Sequence, residues 1–265
     1  MHSRALFDEH WGQTDAAGGL LDPADRRRIA TIAALCPRVE SVLDVGCGNG
    51  EVLQALIEKA HLRAGCDASA TGVAVLRRAP GQPLAVQASV DHLPFAARSF
   101  TLVSCCDVLE HLPEPVLLDT LQEIMRVAER YILINVPLQE DLAWAAIRCA
   151  GCGALFHRDH HQRRFLQREV EELLPAAQFR LVTTQTSGGR VRRIAPLPVA
   201  LGAALALGHT PESLCPTCGA RPSPLSAARA RLRAGFVFCH NALTKPLAPW
   251  LTRDTEIIAL FERRG

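Results

Sequence analysis

Ser41-Val42-Leu43-Asp44-Val45-Gly46-Cys47-Gly48-Asn49-Gly50 is the stretch on which the fold turns. Its first half is an apolar run that suits a buried parallel strand, and its second half places a glycine at every other position. Glycines there let the backbone take positive φ and pass close to a ligand. The residues that follow carry Val52, Leu53, Leu56 and Ile57 at helical spacing, so a strand, a turn and a helix are predicted over 41–60. A dinucleotide fingerprint would need Gly-x-Gly-x-x-Gly to seat a pyrophosphate on the helix N-terminus. Here the third glycine comes only two residues after the second, which is a different loop.

Outward from this unit the same alternation continues. A helix over 26–35 precedes it. Strands are predicted over 61–66, 84–88, 100–105 and 131–136, with helices over 70–78 and 114–128 between them. Residues 169–174 continue a helix, and 179–186 and 255–261 read as two final strands. Strictly alternating elements argue for a parallel sheet covered by helices on both faces. The last two strands break the rule, and the proline-, alanine- and arginine-rich segment between them reads as an insertion. The expected division is 1–40 as N-terminal cap helices, 41–186 plus 255–265 as the sheet domain, and 187–254 as an inserted segment.

Composition narrows the function classes. The chain has 265 residues, 48% of them hydrophobic, enough for a large core and against dominant disorder. A net charge of +2 with 5% aromatic residues is unlike a nucleic-acid stacking platform. The arginines fall in short groups, at 26–28, 163–164, 190–193 and 229–233, which read as solvated helix faces. The polar N-terminus, with Asp8 and Glu9, is unlike a signal peptide. The longest apolar run, 194–207, is broken by Pro196 and Pro198 and is too short to span a bilayer, so a cytoplasmic protein is expected. In that setting the ten cysteines need another explanation than disulfides. Cys36, Cys47, Cys66, Cys105, Cys106 and Cys239 stand in apolar contexts and read mostly as small core residues.

Asp44 to Gly50 resembles the glycine-rich motif of class I S-adenosylmethionine-dependent methyltransferases. Leu93-Pro94-Phe95, Phe100 and Leu109-Glu110-His111-Leu112 are similar to the type 11 group of that class. The resemblance covers roughly 40–136 plus the last strand. It implies a Rossmann-like sheet of six parallel strands and an antiparallel last one. It also implies that Gly46, Cys47, Gly48 and Gly50 approach the methionine part of the cofactor while Asp44 organises the loop. Asp67, closing the second strand, would accept both ribose hydroxyls, because one carboxylate can take two hydroxyls side by side. Ala68, Ser89 and Val90 would border the adenine. Ser89 stands where the family often has an acid, and Asp91 is the alternative partner. Asp107 to His111 would lie beside the sulfonium, with His111 the nearest base. Phe7-Asp8-Glu9-His10-Trp11 resembles the short aromatic segment that often precedes the first helix in this group; closing over the cofactor and an ordinary amphipathic start are its two readings.

Two Cys-x-x-Cys-Gly stretches, Cys149 to Gly153 and Cys215 to Gly219, read as zinc knuckles and suggest one four-thiolate structural zinc, although their separation exceeds that of a compact zinc ribbon. A redox dithiol is the alternative, but neither pair opens a helix after a first strand. In the expected topology both pairs leave from the carboxyl edge of the sheet, so a shared zinc would clip two substrate-side loops together. Between them, Cys152 to Phe165 is dense in histidine. These side chains could ligate metal, act as a base, bind an anionic substrate with the arginines, or simply line a surface helix. His157 and His160 are the candidates for substrate binding or proton abstraction. The expected activity is methyl transfer to a small molecule or glycan, most plausibly at oxygen. The Asn/Asp-Pro-Pro-aromatic signature of amino-methylating nucleic-acid enzymes is absent after the fourth strand, where Cys105-Cys106-Asp107 stands. RNA or protein modification, and a non-catalytic cofactor-binding scaffold held by zinc, are the alternatives.

Overall fold

The computed structural model describes residues 8, 22–188, 190–191, 204–207, 213–221, 225–244 and 252–265. Asp22 starts the first helix, α1 (Pro23–Leu35), by accepting the backbone N–H groups of Ala24 and Asp25 on its side chain, with proline at the first helical position. β1 (Val39–Val45) follows, then α2 (Glu51–Ala55), β2 (Ala60–Asp67), α3 (Ala70–Leu76) and β3 (Leu84–Gln87). β4 (Phe100–Cys106) leads through a 3₁₀ turn (Leu109–His111) into α4 (Glu114–Val127) and β5 (Ala128–Pro137). A second 3₁₀ turn (Leu142–Ala145) and a small antiparallel hairpin, β6 (Ala146–Arg148) with β7 (Leu155–His157), come next. After α5 (Gln167–Glu171), β8 (Phe179–Ser187) returns to the sheet. β9 (Arg190–Val191) pairs with β10 (Thr252–Arg253) and closes the neck of the segment that holds α6 (Ala227–Thr244). β11 (Glu256–Arg263) ends the chain.

The main sheet has the order β3-β2-β1-β4-β5-β11-β8. β1 to β5 pair in parallel, and β11 runs antiparallel to both β5 and β8, so six strands share one direction and the last opposes them. This is the Rossmann-like sheet of six parallel strands and an antiparallel last one that the resemblance implies. Side chains alternate across it as the two-residue period of a strand demands. Leu43, Val45, Val103, Ile132, Ile134 and Phe261 face one core with Leu121 and Ile124 of α4 and Val170 of α5. Val42, Leu102, Leu133, Ile258 and Leu260 face the other with Ile32 of α1, Leu53 of α2 and Leu76 of α3. Both faces are covered, which is why these strands read as near-continuous apolar runs.

Two boundaries and one added element differ from the expectation. The helix after the glycine loop stops at Ala55 rather than 60, because Val39 of β1 must pair with Ala60 and the chain needs residues 56–59 to turn back. β5 begins directly on the end of α4, at Ala128, which pairs with Phe100. The inserted segment carries the 18-residue helix α6, which packs Phe236 and His240 against Trp144 at ring distances of 5.7 and 4.7 Å. Its Cys239 is exposed, unlike the other five cysteines read as core, which are buried. Of the N-terminal cap, α1 and Asp8 are described; Phe7, Glu9, His10 and Trp11 lie outside the described residues. Among the described residues no helix is long and apolar enough to cross a membrane.

Candidate functional site

Strand order reverses between β1 and β4, and in sheets of this kind the cleft outside the carboxyl ends of the strands at such a reversal is where ligands bind. The glycine loop fills the floor of that cleft. Gly46 and Cys47 donate their N–H groups to the Cys66 carbonyl at 2.8 and 3.0 Å, tying the loop to the end of β2. Gly46 has φ +73° and a β-carbon there would meet a Val108 methyl at 2.3 Å; Gly50 has φ +88° and would meet Leu76 at the same distance. Gly46→Ala is therefore expected to lower stability by about 2 kcal/mol or more, from a left-handed backbone and a displaced Val108. An unchanged midpoint in urea unfolding would show that the loop yields.

Two carboxylates lie under the loop. Asp67, 7% exposed at the end of β2, accepts the Gly48 N–H on one oxygen at 2.8 Å and the Ser69 N–H on the other at 2.7 Å. Burial raises its pKa, and these two amides hold it back. Asp44, 2% exposed, accepts the Ser104 hydroxyl at 2.7 Å across the β1–β4 pairing. Burial pushes Asp44 up to about 7, with the Ser104 bond opposing and the neighbouring Asp67 adding to it. Asp8 reaches the same rim, where it accepts the Ser69 hydroxyl at 2.6 Å and the Thr71 N–H at 3.2 Å at the start of α3. Ala68 and Ser89 border the cleft from the ends of β2 and β3, and the Ala68 carbonyl takes the Gln87 amide at 3.0 Å. Ser89 donates to the Asp91 carboxylate, and Val90 packs partly on the core.

Asp107, with φ +53°, follows β4 and is held by Arg28 of α1 at 2.5 Å, whose guanidinium also reaches Asn135 at 3.1 Å. Arg28 is 9% exposed, so the arginine group at 26–28 is not wholly a solvated face. A cation in a helix carries no sequence signal of this role. Beyond Asp107 the 3₁₀ turn brings up Glu110 and His111, and the histidine-rich segment docks on them. Gln162 donates its backbone N–H to the Glu110 carbonyl and its side-chain amide to the His111 carbonyl, at 2.8 and 2.7 Å. His111 and His161 meet edge to face at 4.7 Å, and His157 and His161 stack at 4.6 Å. Burial lowers His111 to about 3, with His161 and His160 contributing. The Glu140 carboxylate stands between two rings, 2.5 Å from His161 Nδ1 and 3.4 Å from His157 Nε2. Burial opposes ionisation of Glu140, but the two histidines outweigh it and carry its pKa far below the usual carboxylate range. His160 stands apart, stacked on Phe156 at 5.9 Å. Sequence reading did not single out Glu140 or His161, because only the docking of the segment after β5 makes them neighbours of Glu110 and His111.

The two cysteine pairs converge. Cys149 and Cys218 sulfurs lie 3.5 Å apart and Cys152 and Cys215 sulfurs 3.7 Å apart, and all four fall within 4.8 Å of one another. A disulfide would bring a pair to about 2.05 Å. Four thiolates at about 2.3 Å from a tetrahedral zinc stand about 3.8 Å apart, so the residues fit that ion. The two turns are built alike. Gly153 and Gly219, with φ +75° and +71°, donate to the carbonyls of Cys149 and Cys215 at 3.0 and 2.8 Å. Cys149 and Cys215 in turn donate to Ala154 and Ala220 at 2.8 and 2.9 Å. The shared sequence Cys-x-x-Cys-Gly-Ala is the visible trace of this geometry. Backbone amides of Cys152 and Gly151, with the neighbouring Cys218 and Cys215 thiols, draw the Cys149 thiol down to about 6, while Cys218, against the Ala220 amide, is pushed up to about 12 by its neighbours Cys149 and Cys152.

Residues 42–130 match the family model described as a methyltransferase domain. The ubiquinone biosynthesis O-methyltransferase of Idiomarina loihiensis is 32% identical over 84 residues, covering 29% of this chain and 33% of that protein. The chain thus spans about a third of the length of the curated relative it matches. A chain from the complex between the Haloferax volcanii Trm112 methyltransferase activator and a methyltransferase superposes with a TM-score of 0.56 at 18% identity, covering 98% of each chain. A methyltransferase structure from Bacillus halodurans gives 0.54 at 16% identity, covering 89% of this chain and 96% of that one. At such identities the likeness is one of fold.

Proposed function

We propose that this chain, an S-adenosylmethionine-dependent methyltransferase by its domain and its sheet, delivers methyl to an oxygen of a small-molecule or glycan acceptor. The observation that carries the reading is the clamp of the Gly48 N–H on Asp67, which fixes a glycine loop and a carboxylate in one cleft at the strand-order reversal. S-adenosylmethionine would supply a methyl group on a cationic sulfur. Gly46, Cys47, Gly48 and Gly50 would hold its methionine part, with Asp44 beneath. Asp67 has spent two of about four acceptor sites on backbone amides, which leaves one on each oxygen for a ribose hydroxyl. Ala68, Ser89 and Val90 would border the adenine, and the Ser89–Asp91 pair presents charge there. Asp107 would line the side facing the sulfonium.

In the transfer the acceptor oxygen's lone pair would form the new C–O bond, the C–S pair would return to sulfur, and the hydroxyl proton would pass to water. Positioning supplies much of the rate. His111, a neutral imidazole at working pH, stands nearest the acceptor side; His157 positions His161 through their stack, and His160 lies to one side. Oxygen is favoured by the name of the curated relative, an O-methyltransferase. The segment 187–254, with the hairpin at Cys149 and Cys152, would cover the acceptor as a zinc-held lid. Calorimetry is expected to show S-adenosylmethionine binding by the whole chain, with S-adenosylhomocysteine forming when hydroxylated small molecules are added. No binding would sink the reading; turnover with RNA or protein alone would redirect it.

Asp44 adds a pH signature. Its folded pKa, about 7, lies above the ordinary carboxylate value of 3.8, so between those limits the native state holds a proton that the unfolded chain has lost. Its contribution to stability therefore falls as pH rises through that window. A sulfonium nearby favours the ionised form, so cofactor binding should release a proton and tighten as pH climbs toward 7, then level off. Calorimetry at pH 6.5 in two buffers of different ionisation enthalpy measures that proton. Affinity independent of pH, or a wild-type dependence retained in Asp44→Asn, would rule out Asp44 as its source.

A further inference from the structure

Besides the four thiols, one region of the described residues gathers metal-competent side chains. Single ligand atoms of Glu110, His111 and His161 lie within 4.8 Å of one another, and the same holds for Glu140, His157 and His161. Glu110 is 1% exposed, and among the described residues no other residue gives either of its carboxylate oxygens a hydrogen-bond donor. A carboxylate so placed is expensive unless a cation shares its pocket. The two groups share His161, and their geometry divides the labour. Its Nδ1 is taken by Glu140 at 2.5 Å, so Nε2 is the ring nitrogen left for a ligand. Glu140 in turn reaches His157 Nε2 at 3.4 Å, while His157 Nδ1 accepts the N–H groups of Asp159 and His161 at 3.2 and 3.3 Å. The ring of His161 is thereby set from behind by a carboxylate, the arrangement that orients metal-ligating histidines.

We propose that Glu110, His111 and the Nε2 of His161 form a binding site for one divalent cation, of the zinc and manganese class, separate from the four thiolates. Two imidazoles and a carboxylate are a donor set that leaves a coordination position open. Glu110 lies two residues beyond Val108, whose methyl packs over Gly46, so the site adjoins the glycine loop. Resting on the methyl-transfer reading, a cation held there would polarise the acceptor's hydroxyl oxygen and lower the pKa of that hydroxyl, easing loss of its proton to water. Glu140 and His157 are positioning residues for His161.

Manganese(II) distinguishes this site from the thiolates, since it prefers oxygen and nitrogen donors. The full chain, purified with its zinc, is titrated with manganese(II) while electron paramagnetic resonance follows the free ion and water-proton relaxation reports an exchangeable ligand on the bound one. One ion per chain is expected, with relaxation enhanced. Glu110→Gln should weaken binding at least tenfold. Glu140→Gln should weaken it about 10- to 100-fold, as loss of an orienting partner does. His161→Asn serves as a second ligand variant should Glu110→Gln fold poorly. S-adenosylmethionine calorimetry on the same samples separates the two ideas. Absence of a bound manganese in the wild type, or affinity unaltered in Glu110→Gln and His161→Asn, overturns the cation site even where the cofactor binds. Manganese bound at the expected strength without cofactor binding keeps the site and removes the methyltransferase reading.

Discussion

Asp67→Ala is expected to weaken S-adenosylmethionine binding by two to four orders of magnitude. The carboxylate lies at the one point where loop, strand and helix meet: the Gly48 N–H, the end of β2 and the Ser69 N–H at the start of α3. Hydrogen bonds to a charged group contribute about 1.5–3 kcal/mol each, so losing two ribose hydroxyl contacts costs about 3–6 kcal/mol, and each 1.4 kcal/mol is tenfold. The substitution also leaves two buried amides without their acceptor, so loop order is lost with the contacts. Asp67→Asn separates these effects. Its amide keeps one acceptor but turns a donor toward either Gly48 or Ser69, and binding should fall by nearly as much while the volume is unchanged. Thermal unfolding of both variants checks that the sheet survives. Tight binding by Asp67→Asn would mean that the charge is not what the ribose meets.

The parts of this structure that could be read from sequence are those fixed by neighbours along the chain. A parallel strand buried on both faces must be apolar throughout, and Ser41 to Val45 shows it. A loop with φ above zero at Gly46 and Gly50 must use glycine, and a knuckle must repeat its Cys-x-x-Cys-Gly pattern. What stayed hidden depends on packing between distant segments. Arg28 is an ordinary helix residue until β4 and β5 bring Asp107 and Asn135 beneath it. Glu140 follows a strand like any loop acid, yet it meets histidines 17 and 21 positions on because the segment after the β6–β7 hairpin folds back over β5. The helix α6 lacked a clear apolar stripe: Leu232 and Phe238 are 58% and 73% exposed, so its periodicity does not announce a buried face.

Purified wild-type protein is expected to carry one zinc on the four thiolates, and Cys215→Ser should release that ion and with it the order of the proposed lid. The four sulfurs come from two loops far apart in sequence, Cys149 and Cys152 on the β6–β7 hairpin and Cys215 and Cys218 in the segment between β8 and β11. Between these segments Ser213 bonds the Arg158 carbonyl at 3.2 Å and α6 packs on Trp144, and the ion would add a four-bonded clip to those ties. Structural zinc sites contribute on the order of 10 kcal/mol of apparent binding free energy near neutral pH, more than the lid could replace from within. The seven-stranded sheet has two cores of its own, so unfolding should split: a low-temperature transition for the lid, and a main transition moved little. Trypsin should then cut within 187–254, where arginine is frequent, at least tenfold faster in the variant, and chelator treatment of the wild type should reproduce the effect. Cofactor affinity should be nearly preserved, since the glycine loop and Asp67 touch none of these cysteines, while turnover of any acceptor should collapse. Stoichiometric zinc retained by Cys215→Ser would exclude the four-thiolate site. Protection lost on reduction but not on chelation would instead make the sulfurs a redox pair, at odds with separations of 3.5 and 3.7 Å.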